Sequence, residues 1–162
     1  MATRVYDRAY NEFYLNNAMN TLATMLDYAA NIKREDIDSC FKRFIDSGAA
    51  AHFENGDPNL IAGKSGVELY WTITENRYNN FPAYQMLYRT PEFWLGWSLA
   101  YYQWFTKKSF RYIHMRVTLK ELLAWYPTLH EADLLKFVEE LDKRISLPET
   151  NLEIRRRALG LS

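Results

Sequence analysis

The chain is predicted to be all-α, and three observations predict it. Apolar residues recur at three- and four-residue spacing in four separate stretches. Helix-starting and helix-ending residues stand at the edges of those stretches. No stretch keeps a period of two long enough to make a confident strand, and the best candidate, YIHMRVT (112–118), is weak. The expectation is a single compact bundle of about six or seven helices, with irregular connections near 48–64 and 78–90. A helical domain over 1–147 would carry a short helical appendage over 148–162.

Leu15, Ala18, Met19, Leu22, Met25, Leu26 and Ala29 form the first stripe. Ile37, Phe41, Phe44 and Ile45 form the second, entered through Asp36 and Asp38, which favour a helix N-terminus. Ser47-Gly48 reads as its exit through a left-handed residue. Thr90-Pro91-Glu92 places a capping hydroxyl before a proline at the first helical position, where a missing N–H does no harm. Phe93, Trp97, Ala100, Tyr101 and Trp104 follow. Thr118 with Glu121, and Thr128 with Glu131, have the spacing of capping boxes. Leu134, Leu135, Phe137, Val138 and Leu141 make the last stripe, and Leu159-Gly160 reads as a final helix exit.

GDPNLIAGKSGVE (56–68) ends like a phosphate-binding loop, in Gly63-Lys64-Ser65. Such a loop needs a glycine five residues before Gly63, and that position holds Pro58, which has no amide hydrogen to aim at a phosphate. Nor does SGAAAHFEN (47–55) read as the buried strand that should precede it. Ser65 as a cap, Glu68 three residues on, and Val67, Tyr70, Trp71 and Thr74 as a helical face account for the same residues. A helix start is expected here.

At 162 residues, with 48% apolar and 25% charged, the chain can bury one domain's core. Formal net charge is zero, against strong non-specific attraction to nucleic acid or anionic membrane. Residues 1–81 carry eight Lys and Arg against eleven Asp and Glu, net −3; residues 82–162 carry twelve against nine, net +3. Cys40 is the single cysteine, so neither an intrachain disulfide nor a thiolate zinc cluster can form. The N-terminus lacks a signal-peptide core and no apolar run spans a bilayer. A soluble cytoplasmic protein is expected.

No local signature of catalysis is found, and no cofactor or metal is expected. His130-Glu131 begins like a metalloprotease HExxH, but the fifth position is Leu134. His52, His114 and His130 read as surface or interface histidines, and Glu139, Glu140 and Asp142 as a solvated face.

Aromatic content is the oddity: twelve Tyr, nine Phe and five Trp make 16% of the chain. FWLGWSLAYYQWF (93–105) is too aromatic all round for a helix with one wet face. Two readings stand. Either the helix runs buried through the bundle, or Trp94, Trp97, Tyr101 and Trp104 belong to a partner interface, where such rings are favoured. Tyr6, Tyr10 and Tyr14 form a second row, and self-association as a homodimer could use either. Directly afterwards, KKSFRYIHMR (107–116) interleaves Lys107, Lys108, Arg111 and Arg116 with Phe110 and Tyr112. That mix suits phosphates with ring stacking, an acidic protein surface, or simply a helix C-terminus completed by cations.

AMNTLATMLDYAAN (18–31), DIDSCFKRFIDSG (36–48) and GDPNLIAGKSGVEL (56–69) resemble a family of small uncharacterised helical proteins from gut Firmicutes and mobile elements, found near toxin–antitoxin-type genes. PEFWLGWSLAYYQW (91–104) and YPTLHEADLLKFVE (126–139) resemble its second half. The resemblance implies a helical fold and carries no catalytic residues. PETNLEIRRRALGLS (148–162) resembles the first helix of a phage-repressor-like helix-turn-helix, with Arg155, Arg156 and Arg157 on it and the recognition helix absent. By class rather than by motif, small aromatic helical proteins of mobile elements include the anti-CRISPR inhibitors.

The expected function is therefore non-catalytic: contact with a protein or ribonucleoprotein partner that is blocked or regulated. It would centre on Trp94, Trp97, Tyr101 and Trp104, with Lys107, Lys108, Arg111 and Arg116 at the rim. The competing expectation is a nucleic-acid-binding regulator using 107–116 and Arg155–Arg157.

Overall fold

In this computed structural model, which describes residues 7–74, 89–146 and Gly160, two helices, α1 (Leu15–Asp27) and α6 (Pro91–Thr106), share the most extensive contact among the described elements. Every residue of the first predicted stripe is buried, Leu22, Met25 and Leu26 completely. Burying each such side chain stabilises by about 1.5–3 kcal/mol. The pair approaches closely because Gly96 has no side chain where α6 meets α1: a Cβ there would lie 2.5 Å from Ala23 Cα.

The remaining described elements pack around that pair: α2 (Ile37–Asp46), α3 (Ala49–Glu54), α4 (Pro58–Ile61), α5 (Gly66–Ile73), α7 (Phe110–Arg116), α8 (Leu119–Leu123), α9 (Tyr126–Leu129) and α10 (Leu134–Ile145). No strand occurs among the described residues, and the all-α fold is as expected. Among the described residues ten α-helices stand where six or seven were expected for the chain, because short turns such as α4 and α9 fill the chain between the long stripes. Within 48–64 the predicted irregular connection holds α3 and α4, entered through Gly48 (φ 87°) and Asp57. Most of the connection expected at 78–90 lies outside the described residues.

The caps are mostly those the sequence signals. Ser65 accepts from Glu68 N at 3.1 Å, so Gly63-Lys64-Ser65 does start a helix. Gly66 follows because a Cβ there would meet Met25 N at 2.5 Å. Asp36 caps α2, Thr90 caps α6 and Thr118 caps α8 through Glu121 N. Thr128 and Glu131 are a correction: they make no box, and α10 starts later, where Asp133 accepts from Leu135 N at 2.8 Å. Leu135 consequently faces outward, 46% exposed, while Phe137, Val138, Leu141 and Ile145 are buried. The weak strand candidate at 112–118 is also corrected, since 110–116 is α7 and only Val117 and Thr118 are extended.

α1 continues without a break into a π-helical turn, Tyr28–Ile32. There Asn31 donates to Asp27 Oδ1 (2.7 Å) and to Glu92 Oε1 (3.0 Å), and Thr90, the cap of α6, also donates to Asp27. The widened turn brings Asn31 to α6, so this buried aspartate is satisfied and ties the two central helices together. The segment before α1 is held too: Ala9 N donates to Trp104 O (2.9 Å), and Trp104 Nε1 donates to Tyr10 O (2.8 Å). No described helix is long and apolar enough to cross a membrane.

A candidate docking surface on α7

α6 ends at Lys107, in left-handed conformation (φ 64°), and the chain turns at once into α7, capped by Ser109 accepting from Tyr112 N at 3.0 Å. One side of α7 is anchored. Phe110 is fully buried among Phe41, Phe44 and Phe53, at ring centroid distances of 5.5, 5.6 and 5.7 Å. Its N–H donates to Glu54 Oε1 at 2.6 Å. Ile113 is buried, and His114 Nε2 lies 2.8 Å from Asp38 Oδ1. Helical spacing then sends Arg111, Tyr112, Met115 and Arg116 the other way. Tyr112 is 39% and Met115 63% exposed. The Arg116 guanidinium sits 4.3 Å from the Tyr112 ring centroid.

The eight residues expected to form one site are divided by the fold. Arg111 and Arg116 share the outer face of α7, with Lys107 exposed at the turn before it. Lys108 turns inward, donating to Asp142 Oδ1 at 2.8 Å and to Tyr102 Oη at 3.3 Å. Trp104 is a core residue, 7% exposed, with its N–H spent on Tyr10. Tyr101 is half-buried and stacks on Phe105 at 5.8 Å, beneath the Arg8 guanidinium, which lies 3.6 Å from the Phe105 ring centroid. Trp94 and Trp97 lie toward the start of α6; thirteen positions at helical rise put Trp94 about 20 Å from Lys107. So the aromatic helix is largely internal, and the rings and cations do not form a single patch. Arg155, Arg156 and Arg157 lie outside the described residues, as does Tyr6. Tyr10 is buried within the chain, its ring against Gly56.

Polar side chains elsewhere hold elements together. Glu35 accepts from Tyr70 Oη at 2.6 Å and pairs with Arg43. Burial pushes the Glu35 carboxyl up, but hydrogen bonds from Arg43 and Tyr70, with the charges of Arg43 and Lys33, outweigh it and hold it below the usual range. Asp38 behaves likewise. Burial raises it, yet His114 and the N–H groups of Leu119 (2.7 Å) and Lys120 (3.2 Å) bring it below the ordinary value. Tyr102 is pushed far up by burial and by its bond to Asp142. Of the three histidines, His52 and His130 are exposed as expected, whereas His114 is mostly covered.

The sequence places Tyr112 beside the arginines, as the fold does, but it puts Phe110 in the same row, where the fold buries it, and it passes over Met115 on the exposed side. Ser109 as a cap, with Phe110, Ile113, His114 and Val117 at helical spacing, was the signal that could have sorted them. Compared with family models, curated proteins and solved structures, the chain matches none.

Proposed function

We propose that this chain is a non-catalytic interaction protein that acts in the cytoplasm by stoichiometric contact, blocking or regulating a protein or ribonucleoprotein partner. The observation that carries the reading is the outer face of α7. It offers an exposed methionine and tyrosine between two arginines, on a helix whose other side is locked into the phenylalanine core. A rigid helix face with soft apolar groups and cationic rims suits docking: little side-chain order is lost on binding, and Arg and Tyr are favoured anchors. The resemblance of the sequence to mobile-element proteins near toxin–antitoxin-type genes favours a toxin or a defence nuclease, in the manner of an anti-CRISPR inhibitor, as the partner.

A second reading has its own observation. Arg116 stacked on the exposed ring of Tyr112, with Arg111 and Lys107 near, also suits a nucleic-acid strand, through phosphates and base stacking. Passing a lysate of the source organism over the immobilised protein, with and without nuclease, separates the two. A protein or ribonucleoprotein retained at fixed stoichiometry after nuclease treatment supports the first reading. Retention of bulk nucleic acid alone, released by modest salt, overturns it in favour of the second.

A further inference from the structure

Near the start of α6, away from the α7 face, lies a cavity of about 110 Å³ lined by Arg89, Phe93, Trp94, Trp97, Tyr126 and His130. Rings make its walls. Phe93 and Trp97 stand nearly parallel, 6.1 Å apart at 20°. Trp94 meets Tyr126 edge-on at 5.7 Å and is braced from within by Phe137 at 5.5 Å.

Two basic groups lie on these rings. The Arg89 guanidinium carbon is 5.7 Å from the Phe93 centroid and 5.6 Å from that of Trp97. His130 stacks on Tyr126 at 4.4 Å, and its Nδ1 is 2.7 Å from the Tyr126 carbonyl oxygen. A carbonyl can only accept, so Nδ1 carries a proton in that contact. Glu131 Oε1 lies 3.7 Å from His130 Nε2, on a side chain 89% exposed. Arg89 takes part in none of the ion pairs among the described residues.

A cation entering this cavity would have to displace Arg89 from the faces of Phe93 and Trp97, and His130 from Tyr126. An anion meets no such competitor. These contacts engage the guanidinium through its charge and leave its N–H fork open to a carboxylate. A nucleobase needs a broad free ring face, and Arg89 lies over those of Phe93 and Trp97 while His130 covers one of Tyr126, whereas an aliphatic side chain needs none. We propose that this cavity is a recognition site for an acidic segment of another protein. An apolar side chain would seat among Trp94, Trp97 and Tyr126, with a neighbouring carboxylate paired to Arg89. The inference stands on this geometry alone and does not require the α7 face.

Short peptides test it, with the indole N–H nuclear magnetic resonance signals of Trp94 and Trp97 as the readout. The probes are an acetylated, amidated Glu-Leu-Glu peptide, its Lys-Leu-Lys counterpart and adenosine monophosphate. The acidic peptide is expected to move both signals, the basic peptide neither. Arg89→Gln should weaken the acidic peptide about tenfold by removing a charge-assisted pair. Arg89→Lys, which keeps the charge but not the fork, should fall between. Arg89 is exposed, so both variants are expected to fold. The proposal is overturned if the basic peptide or the nucleotide binds as well as the acidic peptide. Equal binding by Arg89→Gln, or signals that stay still at millimolar acidic peptide, overturns it too.

Discussion

Gly96 and Ala23 meet backbone to backbone: a Cβ built on Gly96 would lie 2.5 Å from Ala23 Cα and 2.7 Å from Leu22 O. The obstacle is main chain, which cannot swing aside, so Gly96→Ala must push α6 off α1. A loss of about 3 kcal/mol is expected, the upper range for overpacking. Gly48→Ala is the contrast. Nothing lies within 4 Å of its Cβ position, and only the left-handed backbone (φ +87°) opposes it, at about 1 kcal/mol. Urea midpoints at constant slope measure both.

Lys108 and Arg111 look alike in sequence and differ in the fold. Lys108→Met removes the cation shared by Asp142 and Tyr102. Lys108 and Asp142 are both partly solvated, so about 1 kcal/mol of stability should go. Arg111→Met, on the exposed face, should leave the melting temperature nearly unchanged.

Acid should destabilise the protein through Glu35 and Asp38. Both carboxyls are held below their ordinary values in the fold. The unfolded chain therefore binds more protons in acid, and the stability these groups supply is present above their unfolded values, about 4, and lost as pH falls through the folded ones. Glu54, which burial pushes up, works in the opposite sense. Asp38→Asn should flatten the dependence of stability on pH below about 5, as thermal melts across an acid series would show. A slope as steep as that of the parent would contradict the assignment.

Cys40 is fully buried, and burial, with the Glu35 charge, pushes its thiol up to about 12. A thiol-reactive dye at neutral or mildly alkaline pH should leave the native protein unlabelled and label one thiol per chain in urea.

The stripes of α1 and α2, and the caps Thr90, Thr118 and Ser65, were legible because each rests on local periodicity or on one short-range bond. On α6 the reading of a helix buried through the bundle largely holds. Phe93, Leu95, Leu99, Ala100, Tyr102 and Trp104 are buried because neighbours cover this helix on more than one side, which takes Trp104 out of the expected interface, while Trp94, Trp97 and Tyr101 stay partly exposed. No sequence spacing announces that Lys108 will reach Asp142, or that Arg89 will share a wall with His130, since those contacts join distant helices. The expected site was therefore too large: composition showed the rings and cations, but only tertiary packing sorts those that hold the fold from those left on its surface.

The docking role of α7 is tested most directly by Arg111→Glu with Arg116→Glu in one chain. Its melting temperature and its retention of partner from lysate should be read beside those of the parent and of Trp104→Ala. The double variant is expected to melt within a few degrees of the parent and retain no partner, while Trp104→Ala melts well below both. Undiminished capture by the double variant would contradict the account.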